Sequence, residues 1–345
     1  MALPANNPAL IKASGGHYTS LTGWEADLDD ANLDDDYVAE MEGQTTFNGS
    51  FYGIDGSDGD PDPYKVIIQA KSGFEADGTN EATCAKNVGA IGLSGTAAVR
   101  FEVSGIEVSD GVSGFRISNV QAGTENTITK NVIRDTTTDA GIFISAAIAT
   151  TITRIGVNLF INCGSAAWDS GIKINDADYT STNCKILNNT IFHSAPVTNC
   201  PGVYEAYGQS DFRNNAVCYY DNGGENTPID YLSSVSNVDY CAGSGDSTVD
   251  DGADAGIHNI DTLRDDGTDW TDTSTCDFSL VSDGVLTGAG VAISGESWFP
   301  ATDMAGENWA TPPSIGCFEY VAAGGGNAPT GTFYGPLCGP FAGPI

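Results

Sequence analysis

The chain has 345 residues, and its 46 acidic against 13 basic residues give a net charge of -33 at pH 7. This balance argues against nucleic acid as a partner, because phosphate contacts depend on lysine and arginine. It argues equally against an anionic membrane surface, and no apolar run reaches the length of a membrane span. The 43 glycines, with only 17% charged residues, are typical of a turn-rich all-β protein.

Residues 1–36 are predicted to form an N-terminal arm followed by a capping helix. Pro4 and Pro8 disfavour regular structure in the arm, and its composition shows no secretory signal. An apolar face at helical spacing follows and consists of Leu21, Trp24 and Leu28. Such a helix would cover the open end of a stacked structure, which otherwise exposes apolar interior.

Two series of short segments recur between about residues 100 and 220. The first series begins at glycines 27, 30 and 31 residues apart, namely Gly114, Gly141, Gly171 and Gly202. The second begins at asparagines 27, 31 and 26 residues apart, namely Asn131, Asn158, Asn189 and Asn215. Apolar residues alternate with others, as in Phe115 and Ile117, which predicts strands with one buried face. Self-similarity at this period indicates a repeat architecture.

Each period has room for about three short strands and their turns, so the chain is predicted to rise one rung of about 4.8 Å per repeat. Stacked rungs bury a continuous interior that no single rung could bury. The asparagine side chains are expected to lie at a buried turn and to bond both their own backbone and the next rung. The pattern predicts an all-β fold, a single-stranded right-handed parallel β-helix over residues 37–225.

The remainder of the chain changes character twice. Residues 226–321 are predicted to be an acidic irregular segment, with weak strands at 229–232 and 235–240, followed by closing rungs of the solenoid. Residues 322–345 are rich in glycine and proline and cannot form a core of their own, so they are predicted to be an arm that contacts neighbouring subunits. The candidate contact residues of this assembly arm are Tyr334, Leu337, Cys338 and Phe341.

The nine cysteines include no Cys-x-x-Cys pair. An odd number without metal-type spacing argues against both a zinc site and a complete disulfide framework. Buried thiols that pack as small apolar residues are therefore expected, in a protein made in a reducing cytoplasm.

Several of these segments resemble the right-handed parallel β-helix superfamily. They are the repeat itself, the opening Gly15-Gly-His-Tyr-Thr-Ser-Leu-Thr-Gly-Trp24 and the closing Ile315-Gly-Cys-Phe-Glu-Tyr320. The closing segment is similar to the Asp-Ile-Gly-Ala-Phe-Glu-Tyr ending common in that superfamily, from which Ser314 and Cys317 depart. The superfamily includes pectate-lyase-like enzymes, bacterial surface proteins, and phage tailspikes and other virion proteins. The resemblance covers residues 14–320, and it implies the fold while saying little about activity.

Enzymes of this superfamily mostly cleave acidic polysaccharides with clustered aspartates, beside a basic residue or a Gly-His-Gly histidine. The chain has no Gly-His-Gly, and His193 is expected to be an ordinary turn histidine. No catalytic residue and no firm cofactor are predicted. The sole metal candidates are a surface Ca²⁺ site at Asp58, Asp60 and Asp62, or one within 27–36. In the segment that begins at Asp58, Pro63 and Gln69 exclude a regular EF-hand loop. A solvated acidic loop is the simpler expectation for either segment.

Aligning the repeats places four residues in one outward column: Arg116, Phe143, Lys173 and Tyr204. Such a column could hold a sugar acid or a neighbouring subunit. Trp168 and Tyr179, in long turns, are candidates for sugar stacking, although covering the solenoid flank is the simpler role. Glu205 falls where an inward apolar residue is expected, which leaves the register beyond Gly202 open.

Three classes of function remain. The preferred expectation is a non-enzymatic virion structural protein of a tailed phage, either a capsid decoration (cement) protein or a fibre-type component. It would be made in the bacterial host cytoplasm and attached through its terminal arms to other virion proteins such as the major capsid protein. It would form a homo-oligomer, for example a trimer. The alternatives are a polysaccharide lyase or hydrolase, including a depolymerase tailspike, and a bacterial surface adhesin.

Overall fold

A computed structural model of the chain describes residues 4–28, 33–51, 64–77, 83–94, 99–118, 124–145, 151–164, 169–175, 184–194, 201–206, 210–219, 229–231, 237–243, 258–260, 268–273 and 277–321. In these ranges the chain passes repeatedly through three parallel sheets in the same order, so that each turn adds one strand to each sheet. This architecture is a parallel β-solenoid, and it confirms the predicted parallel β-helix.

The three sheets are here called A, B and C. Sheet A has nine strands: β1 (Ala9–Ile11), β2 (Tyr37–Met41), β5 (Lys65–Ala70), β8 (Arg100–Ser104), β11 (Glu125–Thr129), β14 (Ile152–Gly156), β17 (Cys184–Leu187), β20 (Asp211–Arg213) and β23 (Asn237–Asp239). Sheet B has eight: β3 (Gln44–Thr46), β6 (Lys86–Val88), β9 (Glu107–Ser109), β12 (Val132–Arg134), β15 (Leu159–Ile161), β18 (Thr190–His193), β21 (Ala216–Tyr219) and β24 (Ala242–Gly243). Sheet C has seven: β4 (Gly49–Phe51), β7 (Ile91–Leu93), β10 (Phe115–Ile117), β13 (Ala140–Ile144), β16 (Ser170–Ile174), β19 (Val203–Glu205) and β22 (Ile229–Tyr231).

The glycine-led segments of the first repeat series supply the strands of sheet C. Phe115 and Ile117 pair in register with Ile142 and Ile144 on the next rung, and all four side chains are fully buried. The same interior positions on the following rung are occupied by Ile172 and Ile174. The predicted inward face is confirmed, and each such side chain contributes about 1.5–3 kcal/mol of burial free energy.

Glu205 occupies an interior position without disturbing the register. It pairs with Ile174, while Tyr204 pairs with Lys173, so the alignment continues past Gly202. The Glu205 side chain is fully buried and accepts a hydrogen bond from the Ser210 hydroxyl. A polar residue is tolerated inside the solenoid because a hydrogen-bond partner accompanies it.

The second repeat series forms a hydrogen-bonded asparagine ladder at the corner between sheets A and B. The Nδ2 group of Asn158 donates to the Ile128 carbonyl oxygen at 2.9 Å and to Asn189 Oδ1 at 3.0 Å. Its Oδ1 accepts from the backbone N–H of Asn131 at 3.0 Å and from Asn131 Nδ2 at 3.2 Å. Asn131, Asn189 and Asn215 repeat this pattern, and all four ladder side chains are buried. The bonds to the next rung agree with the prediction, whereas the backbone carbonyl contact common to all four amides is to the preceding rung, as Asn158 makes to Ile128.

At six corners between sheets A and B, the residue before the ladder asparagine, or before Ile106 or Cys241 at the same position, adopts a left-handed backbone conformation. This conformation turns the chain from sheet A into sheet B. These residues are Gly105, Lys130, Val157, Asn188, Asn214 and Tyr240. Val157, with a φ of 59°, is unusual because β-branched residues are disfavoured there. The recurrence of this conformation shows that the corner geometry, rather than residue type, is what repeats along the axis.

The ladder continues past Asn215 through a cysteine. Cys241 Sγ lies 3.7 Å from the Phe212 carbonyl oxygen, the position that matches the Nδ2 contacts of the asparagines. On the next rung, Asn259 again places a side-chain amide at the ladder position. Its Oδ1 accepts from the Cys241 backbone N–H at 3.0 Å, and its Nδ2 donates to the Val238 carbonyl oxygen at 3.3 Å. Residues 258–260 therefore continue the solenoid corner beyond sheet B.

Replacing Cys241 with asparagine is expected to stabilise the protein by about 1 kcal/mol, because an amide provides stronger hydrogen bonds than a thiol in a corner that already fits Asn189 and Asn215. Urea denaturation followed by circular dichroism measures the change. Cys241→Ser is the control, since a hydroxyl cannot span the ladder, and it should not stabilise. A lower midpoint for Cys241→Asn than for the unmodified protein would contradict this account of the corner.

Helix α1 (Leu21–Leu28) covers the N-terminal end of the solenoid, as predicted. Ser20 Oγ accepts from the Gly23 backbone N–H at 3.3 Å, which is the contact of an N-cap. Leu21, Trp24 and Leu28 are fully buried, and the Trp24 ring packs edge-to-face on Phe51 at 5.9 Å. The helix contacts β1, β3 and β4 and thereby shields the first rung.

The C-terminal part of the body departs from the predicted organisation in two ways. Strands β22, β23 and β24 continue the three sheets to Gly243, past the predicted boundary at residue 225. The antiparallel strands β25 (Trp270–Asp272) and β26 (Asp277–Leu280) are followed by residues 281–321, here called the flank segment. In place of the predicted closing rungs, β25, β26 and the flank segment pack against sheet B and bury its outward apolar residues. The main contributors are Leu159, Ile161, Phe192, Trp270, Phe278, Leu286, Ile315, Cys317 and Phe318.

Candidate contact site

The four predicted column residues lie on consecutive strands of sheet C and face outward. Arg116 of β10 pairs in register with Phe143 of β13, Phe143 pairs with Lys173 of β16, and Lys173 pairs with Tyr204 of β19. Arg116 is exposed, and the other three side chains are half-buried. The alternation with inward isoleucines places them there, because successive residues of a strand point to opposite faces.

Phe143 is the centre of the column. The Arg116 guanidinium carbon lies 5.6 Å from the ring centroid, and the Lys173 ammonium nitrogen also lies 5.6 Å from it. The two cations come from the rungs on either side of Phe143, so the ring is held between them. Each contact has the distance of a cation–π interaction, which contributes about 0.5–1 kcal/mol at exposed positions.

Arg116 and Lys173 differ from the other basic residues in their partners. Within the described ranges neither forms an ion pair, and Lys130 instead donates to Thr302 Oγ1 at 2.5 Å. All other described basic residues form ion pairs, namely Lys12, Lys65, Lys71, Lys86, Arg100, Arg134, Arg154, Lys185 and Arg213. The column is therefore a local cationic surface on a strongly acidic protein.

The column does not have the groups of a hydrolase or lyase site. From Arg116 to Tyr204 it contains no carboxylate, whereas both reactions need acidic side chains. Elsewhere in the described part of the chain, no three His, Cys, Asp or Glu side chains converge as metal ligands would. What the column offers is charge and aromatic surface, which suit binding.

The three histidines occupy structural positions. His193 is buried in β18, and its Nε2 lies 3.1 Å from the Gly164 carbonyl oxygen. His17 Nδ1 accepts from the Leu10 backbone N–H at 2.9 Å. His258 stacks on Tyr240 at 4.2 Å and contacts the Asp239 carboxylate at 3.1 Å. His193 was expected in a turn, and it is instead the last residue of strand β18, paired in register with Tyr219.

The described cysteines are all buried thiols, as expected: Cys84, Cys163, Cys184, Cys218, Cys241 and Cys317. Burial raises the pKa of Cys84, Cys163 and Cys317 to about 12. A thiol with such a pKa is protonated at neutral pH and is a poor nucleophile. Cys84, Cys163 and Cys317 therefore contribute packing rather than chemistry.

Sequence reasoning missed a buried carboxylate in the flank segment, near Lys130 of the solenoid corner. Asp303 is fully buried and accepts from the backbone N–H groups of Glu307 and Glu319 at 2.7 Å each. Burial raises the pKa of Asp303 to about 6, an effect that these donors and nearby Lys130 oppose. Nothing in the sequence around Asp303 indicates that Lys130 is its neighbour.

The other predicted site residues lie outside the described residues. They are Trp168 and Tyr179, the metal candidates Asp58, Asp60 and Asp62, and the assembly-arm residues Tyr334, Leu337, Cys338 and Phe341.

The fold is a parallel β-solenoid, and its outward column on sheet C carries two cations and two aromatic side chains. The sequence matches no protein-family model and no curated protein. No helix among the described residues is long and apolar enough to cross a membrane.

Proposed function

We propose that the protein is a non-enzymatic structural component of a tailed phage particle, either a capsid decoration protein or a fibre-type component. Its terminal arms attach it to other virion proteins such as the major capsid protein. The observation that supports this proposal most is the outward column of sheet C, which from Arg116 to Tyr204 offers cations and aromatic rings and reaches a carboxylate residue only at Asp230, the register partner of Tyr204. A binding surface on a rigid, closely packed solenoid suits assembly better than hydrolysis or elimination.

Two further features favour an assembly role. Apart from Glu205 and the asparagine ladder, the solenoid interior is mainly apolar, and α1 covers its N-terminal end. The sequence after residue 321 is rich in glycine and proline and contains isolated apolar residues such as Tyr334, Leu337 and Phe341. Segments of this composition gain order by wrapping a partner surface.

Deleting residues 323–345 is expected to abolish oligomer formation and particle attachment while leaving the β-helix folded. Light scattering reports the oligomer, and co-sedimentation with particles assembled without the protein reports attachment. Circular dichroism verifies the fold of the shortened chain. A large loss is expected, because the deleted arm carries the apolar contact residues Tyr334, Leu337 and Phe341.

A triple variant and a single variant separate the apolar contacts of the arm from any disulfide that it forms. Replacing Tyr334, Leu337 and Phe341 by serine should reproduce the deletion, whereas Cys338→Ser should leave the oligomer intact with or without reducing agent. A full-length protein that is monomeric and fails to co-sediment would refute the proposal. Undiminished association of the shortened chain would refute attachment through the C-terminal arm.

A further inference from the structure

The aromatic ring of the sheet C column is already occupied on both faces. Arg116 approaches Phe143 from one neighbouring rung and Lys173 from the other, each at 5.6 Å from the ring centroid. A ring held in this way has no free face for stacking against a sugar or a base. Its outward part is the ring edge.

That edge has the same electrostatic sign as the two cations. An aromatic ring has a negative face and a positive edge, so the negative faces point at Arg116 and Lys173 while the positive edge points outward. The three side chains therefore present one continuous positive strip. The strip spans two rungs, about 9.6 Å at the spacing of paired strands.

Within the described part of the chain, the strip keeps its positive charge. Among the described residues, neither cation forms an ion pair, although 46 acidic residues are present in the chain. On sheet A, by contrast, Lys65 lies 2.7 Å from Glu102 and Arg154 lies 2.9 Å from Glu125. A carboxylate placed beside either cation is attracted to it.

We propose that the Arg116–Phe143–Lys173 strip binds an acidic segment of a partner protein. One carboxylate contacts the Arg116 guanidinium, whose planar donors suit two-point contact with a carboxylate. A second carboxylate contacts the Lys173 ammonium, and the peptide between them crosses the positive ring edge. This interaction does not depend on particle attachment through the arms, and it uses a different part of the molecule.

The geometry favours an acidic polypeptide over an acidic glycan. Recognition of a sugar ring commonly uses a free aromatic face, and both faces of Phe143 are covered. A peptide needs only the charges and the edge. Tyr204, the next residue of the column, extends the strip by a phenolic side chain that is half-buried.

Isothermal titration of the full-length protein with a hexaglutamate peptide at about 0.15 M ionic strength tests the proposal. At this ionic strength the Debye length is about 8 Å, so the long-range repulsion between the peptide and a protein of net charge -33 is screened while direct contacts remain. Binding is expected, and the double variant Arg116→Gln/Lys173→Gln should weaken it by about tenfold or more.

The matched control is Lys65→Gln/Arg154→Gln, which removes the same two charges from sheet A. It should bind hexaglutamate within about twofold of the unmodified protein, since those charges are already paired. The charge-conserving Arg116→Lys/Lys173→Arg variant should retain binding and verifies that the surface tolerates substitution. Equal losses in the two glutamine variants, or no binding by the unmodified protein, would overturn the proposal. Tighter binding of trigalacturonate than of hexaglutamate through the same two residues would assign the strip to an acidic glycan instead.

Discussion

Replacing Asn158 with alanine should destabilise the protein by about 3–5 kcal/mol, among the largest effects of any single polar substitution in the chain. The side chain makes four hydrogen bonds at a fully buried corner, two as donor and two as acceptor. Alanine would leave the Ile128 carbonyl oxygen and the Asn131 N–H groups without these partners in a site that water does not reach. Urea denaturation followed by circular dichroism measures the loss.

Two companions make the Asn158 result specific. Asn158→Asp keeps the acceptor but removes the donor and buries a charge, so it should be at least as destabilising at neutral pH. Asn175→Ala removes an exposed asparagine beside β16 and should change stability by less than about 0.5 kcal/mol. If Asn158→Ala were as mild as Asn175→Ala, the ladder would not be a source of stability.

Replacing Gly141 with alanine is expected to destabilise the protein by about 3 kcal/mol, at the upper end of overpacking effects. A Cβ atom at this position would lie 2.6 Å from the Gly171 carbonyl oxygen and 2.6 Å from Phe160 Cδ1. Neither neighbour can move freely, since one is backbone of the next rung and the other is a fully buried ring. The melting temperature and the urea midpoint should both fall.

The same substitution in the capping helix should have the opposite sign. Gly23 lies on the exposed side of α1, where a Cβ would meet Tyr18 Cδ1 at an ordinary 3.6 Å. Alanine is favoured over glycine in a helix interior by up to about 1 kcal/mol, so Gly23→Ala should stabilise the protein. A neutral Gly141→Ala would show that sheets B and C are not packed as closely as these distances indicate.

The fold was predictable because the repeat places like residues on like positions. The glycine and asparagine spacings predicted two of the three strands per turn and the ladder that links the turns. The spacings did not explain why glycine is required at the repeated positions. Gly114, Gly141 and Gly171 face Ile133, Phe160 and Ile191 of sheet B across a narrow interior, and a Cβ would lie 2.5–2.6 Å from these side chains. That constraint arises from packing between sheets, which spacing along the chain does not contain.

The course of the C-terminal region was not predictable in the same way. The run Leu159-Phe160-Ile161 is apolar at every position, which is typical of a strand buried on both faces, yet it does not indicate what covers the outer face. The flank segment docks there from more than 100 residues away, through contacts such as Asn188 Nδ2 with the Gly316 carbonyl oxygen. Likewise, the ladder position at Cys241 was not predictable, since a thiol stands there and the repeat was recognised by its asparagines.

The candidate site was predictable in part. Alignment of the repeats placed Arg116, Phe143, Lys173 and Tyr204 in one column, and the strand register agrees with that placement. The position of Phe143 between two cations was not predictable, because it depends on side-chain conformations and on the absence of an ion pair to either cation among the described residues. Both follow from the three-dimensional arrangement of the rungs.

The flank segment has a mechanical consequence. A solenoid is held along its axis only by contacts between adjacent rungs. A force applied at one end of the axis would therefore detach the rungs one after another. The flank segment runs beside four successive corners and is fastened to them through Lys130 with Thr302, Gly156 against Trp298, Asn188 with Gly316, and Asn214 with Val291. It thus acts as a brace parallel to the axis. Under tension these rungs should yield together at one high force rather than singly at several low ones.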